Sequence, residues 1–427
     1  MSVHGRDSAP CDGSEDDHAC THPHGPLRRA RLDDPGEHRP EREAVRPGVR
    51  RHQAGPHPPA RPDAPRQKRA GRRRVRPRAP PGAGGAPTRY SWAQDLADDG
   101  YDVFLMDLQG SGRSPRPQMD NPCNANPAQQ QDILVPNPLA VPCAPAYPHQ
   151  LGNSESEWAE LKTVVEFIRA LPGRDHPIDF VGWSAGAFVM GPYTLQHPGD
   201  VKSLLLLAPI FPPQGRWSTN PADPFGRPPE ATTLPLSLPA VTFGYPMNVG
   251  GRTGFKSGWD KEQSGPTQRE PDIADKVWAA MMENDPVGSQ WGPEVSPGVI
   301  EGVLRYRNSY WWGWNEQTVP HKDPTGAFVL GDRVPVLILY GEQDTQANTS
   351  ATLPAVLHFS VPNLYRAVPG PDKLMFELAI AGHSVVWERN AKVVQRFARQ
   401  WLDKGKVEGL TSGRYYRDEY GALFPVV

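Results

Sequence analysis

The run Phe180-Val181-Gly182-Trp183-Ser184-Ala185-Gly186-Ala187 narrows the fold more than any other part of the chain. An apolar stretch enters a serine that has a glycine two residues to either side, and it leaves through small residues. This is the G-x-S-x-G pattern of a nucleophile at a sharp strand-to-helix turn. Such a turn crowds the backbone two positions before and after the serine, so glycine is expected at both. It lifts the Ser184 hydroxyl clear of a sheet and sets the N–H of Ala185 at a helix start, where an oxyanion would be favoured. A pattern this short recurs by chance, so its meaning depends on its surroundings.

Those surroundings alternate helix and strand. Tyr90 to Ala97 reads as an amphipathic helix stopped at Gly100. Tyr101 to Leu108 is a mostly apolar strand and Gly110 to Ser114 a tight loop. Residues 115–152 are a long excursion rich in Pro, Asn and Gln. Ser154-Glu155-Ser156-Glu157 opens a helix whose inner face is Trp158, Leu161, Val164, Val165, Ile168 and Leu171. Ile178 to Gly182 is the strand into the elbow, Ala185 to Gln196 the helix out, and Val201 to Pro209 a further buried strand. The rhythm predicts an α/β fold with a mainly parallel, doubly wound sheet.

From 214 to 331 the rhythm breaks, and seven of the twelve tryptophans fall there: Trp217, Trp259, Trp278, Trp291, Trp311, Trp312 and Trp314. Helical pieces are expected at 273–282 and 297–310, with no clear strand. An insertion of this size is read as a cap over the site. The sheet resumes at Val334 to Tyr340, and Leu374 to Ile380 is taken as its last strand, followed by a helix from Trp387 to Leu402. The expected parts are a core of 89–213 and 332–404, a cap of 214–331 and an unassigned tail of 405–427.

Residues 1–88 read differently. They hold no Phe, Ile, Trp or Tyr, and the larger aliphatics are only Val3, Leu27, Leu32, Val45, Val49 and Val75. A segment that cannot bury apolar surface cannot offset its ordering entropy, so disorder is expected. Its Arg, Pro, Gly and Ala bias is also what a GC-rich gene gives when read out of frame. The net charge of −2 and pI near 6.7 make no case for a nucleic-acid partner. No run of 18 apolar residues predicts a membrane span, and no leader precedes the chain as written. That points to the cytoplasm, with secretion reopened if the N-terminus is misread. Cys123 and Cys143 could close a disulfide, and no metal-ligand spacing is present.

Ser184, Asp344 and His383 stand at the ends of predicted strands, in the order nucleophile, acid, histidine. Glu342 is a rival for the acid, and Asp344 could instead cap the turn that follows it. The remaining histidines lie in the first 57 residues or do not follow a strand in the required order.

Four pieces resemble the α/β-hydrolase fold family over residues 90–402: Asp107-Leu108-Gln109-Gly110-Ser111-Gly112-Arg113-Ser114, the elbow, Tyr340-Gly341-Glu342-Gln343-Asp344, and Ala381-Gly382-His383-Ser384. The resemblance implies Ser184 as nucleophile, Asp344 as acid, His383 as base and the Ala185 amide in an oxyanion hole. One departure is plain. The family's upstream strand with a His-Gly loop, source of the second oxyanion donor, is missing, and Gly84 or Gly85 is the nearest substitute. The expected function is a cofactor-free serine hydrolase acting on small apolar or aromatic carboxylic esters, with Trp183, Trp311 and Trp312 as substrate contacts. An iminopeptidase-like enzyme, with Glu283 and Asp285 holding an α-amino group, and a non-catalytic binding protein on the same scaffold are the alternatives.

Overall fold

The computed structural model describes residues 48–52, 90–147, 149–229 and 245–426. Their elements in chain order begin with β1 (Gly48–His52), α1 (Trp92–Asp98), β2 (Val103–Asp107), α2 (Ser154–Arg169), β3 (Ile178–Trp183), α3 (Gly186–Gln196) and β4 (Val201–Leu207). The insertion supplies β5 (Met247–Gly251), α4 (Arg252–Asp260), α5 (Ile273–Glu283) and β6 (Val303–Arg307). Then come β7 (Val336–Gly341), α6 (Val361–Ala367), β8 (Lys373–Leu378), α7 (Ala391–Lys404), β9 (Gly413–Arg417) and β10 (Leu423–Pro425).

The main sheet has the order β10-β9-β8-β7-β4-β3, parallel throughout except for the β9–β10 pair. Its central strands β4, β7 and β8 are mostly apolar runs because both faces are covered. Along β4, Leu204 and Leu206 join one core with α2 and α3, while Leu205 and Leu207 join the other with α1 and α7. Alternation of side chains along a strand makes this inevitable once helices lie on both sides. α2 starts from a capping box in which Asn153 and Ser156 bond each other's backbone N–H groups. α1 starts from the Ser91 hydroxyl.

Several sequence expectations change. Residues 297–310 are not helical: Val299–Ile300, β6 and Ser309–Tyr310 are extended, and β6 pairs antiparallel with β5. Gly298 and Gly302 hold φ of +75° and +85°, which an α-helix forbids, and burial alternates along β6 as Val303, Arg305 and Arg307 turn inward. Leu374 to Ile380 is not the last strand, because β9 and β10 extend the sheet from the tail. Strand β2 pairs with β1 in a separate two-stranded antiparallel sheet. Of the segment read as disordered, only β1 is among the described residues; the rest, with Gly84 and Gly85, lies outside them.

The excursion at 115–152 belongs with the insertion. Met119, Ala125 and Leu134 form one buried cluster with Met247, Val249, Trp291 and Val303. Cys123 and Cys143 are disulfide-bonded, and the buried Gln130 ties the same loop through the Cys123 and Ala125 carbonyls. No helix among the described residues is long and apolar enough to cross a membrane.

Candidate active site

The elbow is built from the backbone upward. Ser184 sits at φ +56°, a left-handed conformation that a residue with a Cβ adopts only when its surroundings force it. They do so here: the Ser184 N–H donates to Leu207 O at the end of β4, and its carbonyl accepts from Ile210 N–H. A Cβ at Gly182 would stand 3.1 Å from Met190 Sδ and 3.3 Å from Leu206, a tight fit that those side chains would have to yield a few tenths of an ångström to admit. The expectation for Gly186 fails, since a Cβ there meets nothing within 4 Å. The tighter constraint lies one helical turn on, at Gly191, where a Cβ would come within 2.5 Å of the Trp314 ring.

The structure brings Ser184, Asp344 and His383 together across 199 and 39 residues of chain. His383 Nε2 is 2.8 Å from Ser184 Oγ. Its Nδ1 is 3.0 and 3.1 Å from the two Asp344 oxygens. Asp344 is 2% exposed, and Oδ1 also accepts from the N–H groups of Gln346 and Ala347, so it both caps its own turn and meets the histidine. Glu342 is exposed and turns toward Ile380 and Tyr416.

The imidazole is held from other sides too. The Trp183 indole N–H donates to the His383 carbonyl, and its ring lies 5.9 Å from the imidazole and 5.1 Å from Trp387. Burial pushes the His383 pKa down. The hydrogen bond and charge of Asp344 act against this, with Glu262 and Glu388 adding to them, and the net result lies above the ordinary 6.5.

Ala185 lines a cavity of about 250 Å³ with Phe188, Ile210, Trp311, Leu357 and Phe359. Trp311 stacks on Phe188 at 4.6 Å and donates its indole N–H to Glu157, a fully buried carboxylate paired with Arg307. Burial raises the pKa of Glu157 against the pull of that guanidinium. Trp312 is not a cavity residue. It is 2% exposed, packs edge-on against Trp158 and donates to the Phe225 carbonyl, because its place in the chain turns it into the core behind Trp311. Trp183 likewise faces the histidine rather than this cavity.

A second cavity, of about 420 Å³, lies between the Ser111–Gly112 loop, α5 and Trp387, with Tyr306 lining both. Asp285 lies on its wall but is engaged by the Nε and Nη2 edge of the Arg305 guanidinium and by the Gly288 N–H. Glu283 is exposed and lines neither cavity. The loop at Ser111–Gly112 is fixed by Asp107, whose carboxylate accepts from Arg113 N–H and would lie 2.2 Å from a Cβ at Gly112.

A family model for the α/β hydrolase fold matches residues 80–390, most of the chain. The chain belongs to the α/β-hydrolase fold family. Among solved structures, this α/β hydrolase is similar to a monoacylglycerol lipase of Paleococcus ferrophilus: 14% identity, 76% of this chain against 92% of that one, TM-score 0.38. It is also similar to naproxen esterase of Bacillus subtilis, at 16% identity, with 75% and 81% covered and a TM-score of 0.36. No curated protein matches it.

Within the hydrolase the sequence pointed to the three side chains and the Ala185 amide. It missed the carboxylates Glu262 and Glu388 beside the histidine, because their partners lie 121 and 6 residues away with no motif to mark either. It also missed Phe359 and Leu357, which reach the cavity from a loop without periodic pattern. Among the described residues, no group of three or more His, Cys, Asp or Glu is arranged to hold a metal ion.

Proposed function

We propose that the protein is a serine hydrolase that cleaves carboxylic esters of small apolar or aromatic molecules through an acyl-enzyme. The observation that carries this reading is the unbroken chain from Ser184 Oγ through both ring nitrogens of His383 to Asp344. Nε2 accepts the hydroxyl proton as Oγ attacks the ester carbonyl, and Nδ1–H stays bonded to Asp344, which stabilises the imidazolium. The carbonyl oxygen gains negative charge, and the N–H of Ala185, the N-cap of α3, would receive it. Collapse passes the proton from Nε2 to the departing alkoxide. Water, deprotonated by the same nitrogen, then attacks the acyl group and frees Ser184.

The apolar lining beside Ala185 supports an apolar acyl or alcohol portion, with Trp311 as a contact. The peptidase alternative is weakened because Asp285 is already neutralised by Arg305 and Glu283 lies away from both cavities. Hydrolysis of p-nitrophenyl esters, together with fluorophosphonate labelling of Ser184, tests the proposal. The Ser184→Ala variant is expected to lose on the order of 10⁶ in kcat while remaining folded. Release from aminoacyl nitroanilides but not from esters would favour the peptidase, and absence of labelling in folded protein would favour a binding role.

A further inference from the structure

The side chain of Glu262, which follows α4 in the insertion, is 1% exposed and reaches two loops of the main sheet. Its Oε2 accepts the His383 N–H at 2.9 Å. Its Oε1 accepts the Thr345 N–H at 3.0 Å, the Thr345 hydroxyl at 3.1 Å and the Gln346 side-chain amide at 3.4 Å. One carboxylate therefore joins the residue after Asp344 to His383 itself. Below it Glu388, fully buried, accepts the Gly382 N–H at 2.9 Å and the Trp259 indole N–H at 3.1 Å. Gly382 threads between the two acids: a Cβ there would lie 2.9 Å from Glu262 and 3.1 Å from Glu388.

All these donors are neutral. The guanidinium of Arg269 stands over the far ring of Trp259 at 5.2 Å and pairs with Asp260. The charged groups acting on His383 are Asp344 from the loop after β7, Glu262 from the insertion and Glu388 from the turn before α7, all acidic. Among the described residues no cation pairs with Glu262 or Glu388; such a buried carboxylate is costly, and a cation formed beside it recovers part of that cost. Here the cation would be the imidazolium.

We propose that Glu262 is a positioning residue of the Ser184 centre, clamping the Asp344 and His383 loops together from the cap side and favouring the imidazolium. This rests on the hydrolase reading above. The raised proton affinity of His383 agrees with it. The clamp makes seating of the insertion and alignment of the histidine a single event.

Glu262→Gln keeps the shape but puts an N–H₂ opposite one of two N–H donors and removes the charge. Its expected effect is a fall in kcat of about 10–10²-fold on a p-nitrophenyl ester, with KM within about twofold. The acid limb of kcat/KM should move to lower pH by up to about one unit, since a nearby opposite charge that favoured the imidazolium has gone. Glu262→Asp, which keeps the charge, should return the limb toward the wild-type position. A limb that stays put in Glu262→Gln, with activity tracking only the folded fraction, overturns the proposal. If that variant does not fold, hydrogen exchange of the wild-type amides decides: protection of Thr345 and His383 like that of β7 supports the clamp, and exchange at free-loop rates refutes it. Fluorophosphonate labelling of wild-type Ser184 tests the underlying hydrolase reading separately.

Discussion

At the scale of single residues, the environment of His383 makes a prediction with a definite sign. Its pKa is raised in the folded state, so the stability it contributes is complete below about 6.5 and is lost as pH rises through the folded value. The proposed reaction runs the other way, since only the neutral imidazole could accept a proton from Ser184. The acid limb of kcat/KM is therefore expected to have its midpoint above 6.5, over a window in which conformational stability declines. A pH–rate profile beside denaturant midpoints at the same pH values checks both. Ser184, Asp344 and His383 were legible because each follows an apolar strand within a short motif. Gly186 was over-read: its pattern matched, yet nothing crowds it, while the demanding glycine is Gly191 under Trp314. That contact joins residues 123 positions apart in sequence and leaves no local sign.

At the scale of elements, strands buried on both faces were read from their continuous apolar runs, and α2 from its periodic face and acidic first turn. The half-exposed strands were not. In β6, Arg305 and Arg307 occupy inward positions where a reader expects apolar residues, and acid partners, Asp285 and Asp120 for the first and Glu157 and Glu160 for the second, make that burial tolerable. β9 carries Arg414 and Arg417 around its tyrosines and looks like a polar tail until Tyr415 stacks on Phe376. The aromatic block after β6 also makes a prediction. Trp312 fills the core beside Trp158, so Trp312→Ala should cost about 3–5 kcal/mol in chemical unfolding. Trp311→Ala, at the cavity wall, should instead alter KM more than stability.

At the scale of the whole molecule, the excursion at 115–152 and the insertion after β4 are separate in sequence and share one buried cluster and one salt-bridge network, in which Arg305 bonds both Asp120 and Asp285. The disulfide closes a loop of 20 residues within the excursion, and such closure is worth about 3 kcal/mol by chain entropy. Reduction, or paired Cys123→Ser and Cys143→Ser changes, should lower the unfolding midpoint and open residues 124–142 to limited proteolysis, with Ser184 labelling retained. Composition could mark the two segments as irregular but not as one body, since their joint burial depends on pairings between distant residues.

The insertion also packs against a helix of the main sheet. The Trp314 ring lies against Gly191 in α3, the helix that follows Ser184, so this side of the insertion packs directly on the elbow helix. On the proposed hydrolase reading, substitutions that reshape substrate choice are expected in the lining around Leu357 and Tyr306 and not over α3, where Gly191 meets Trp314.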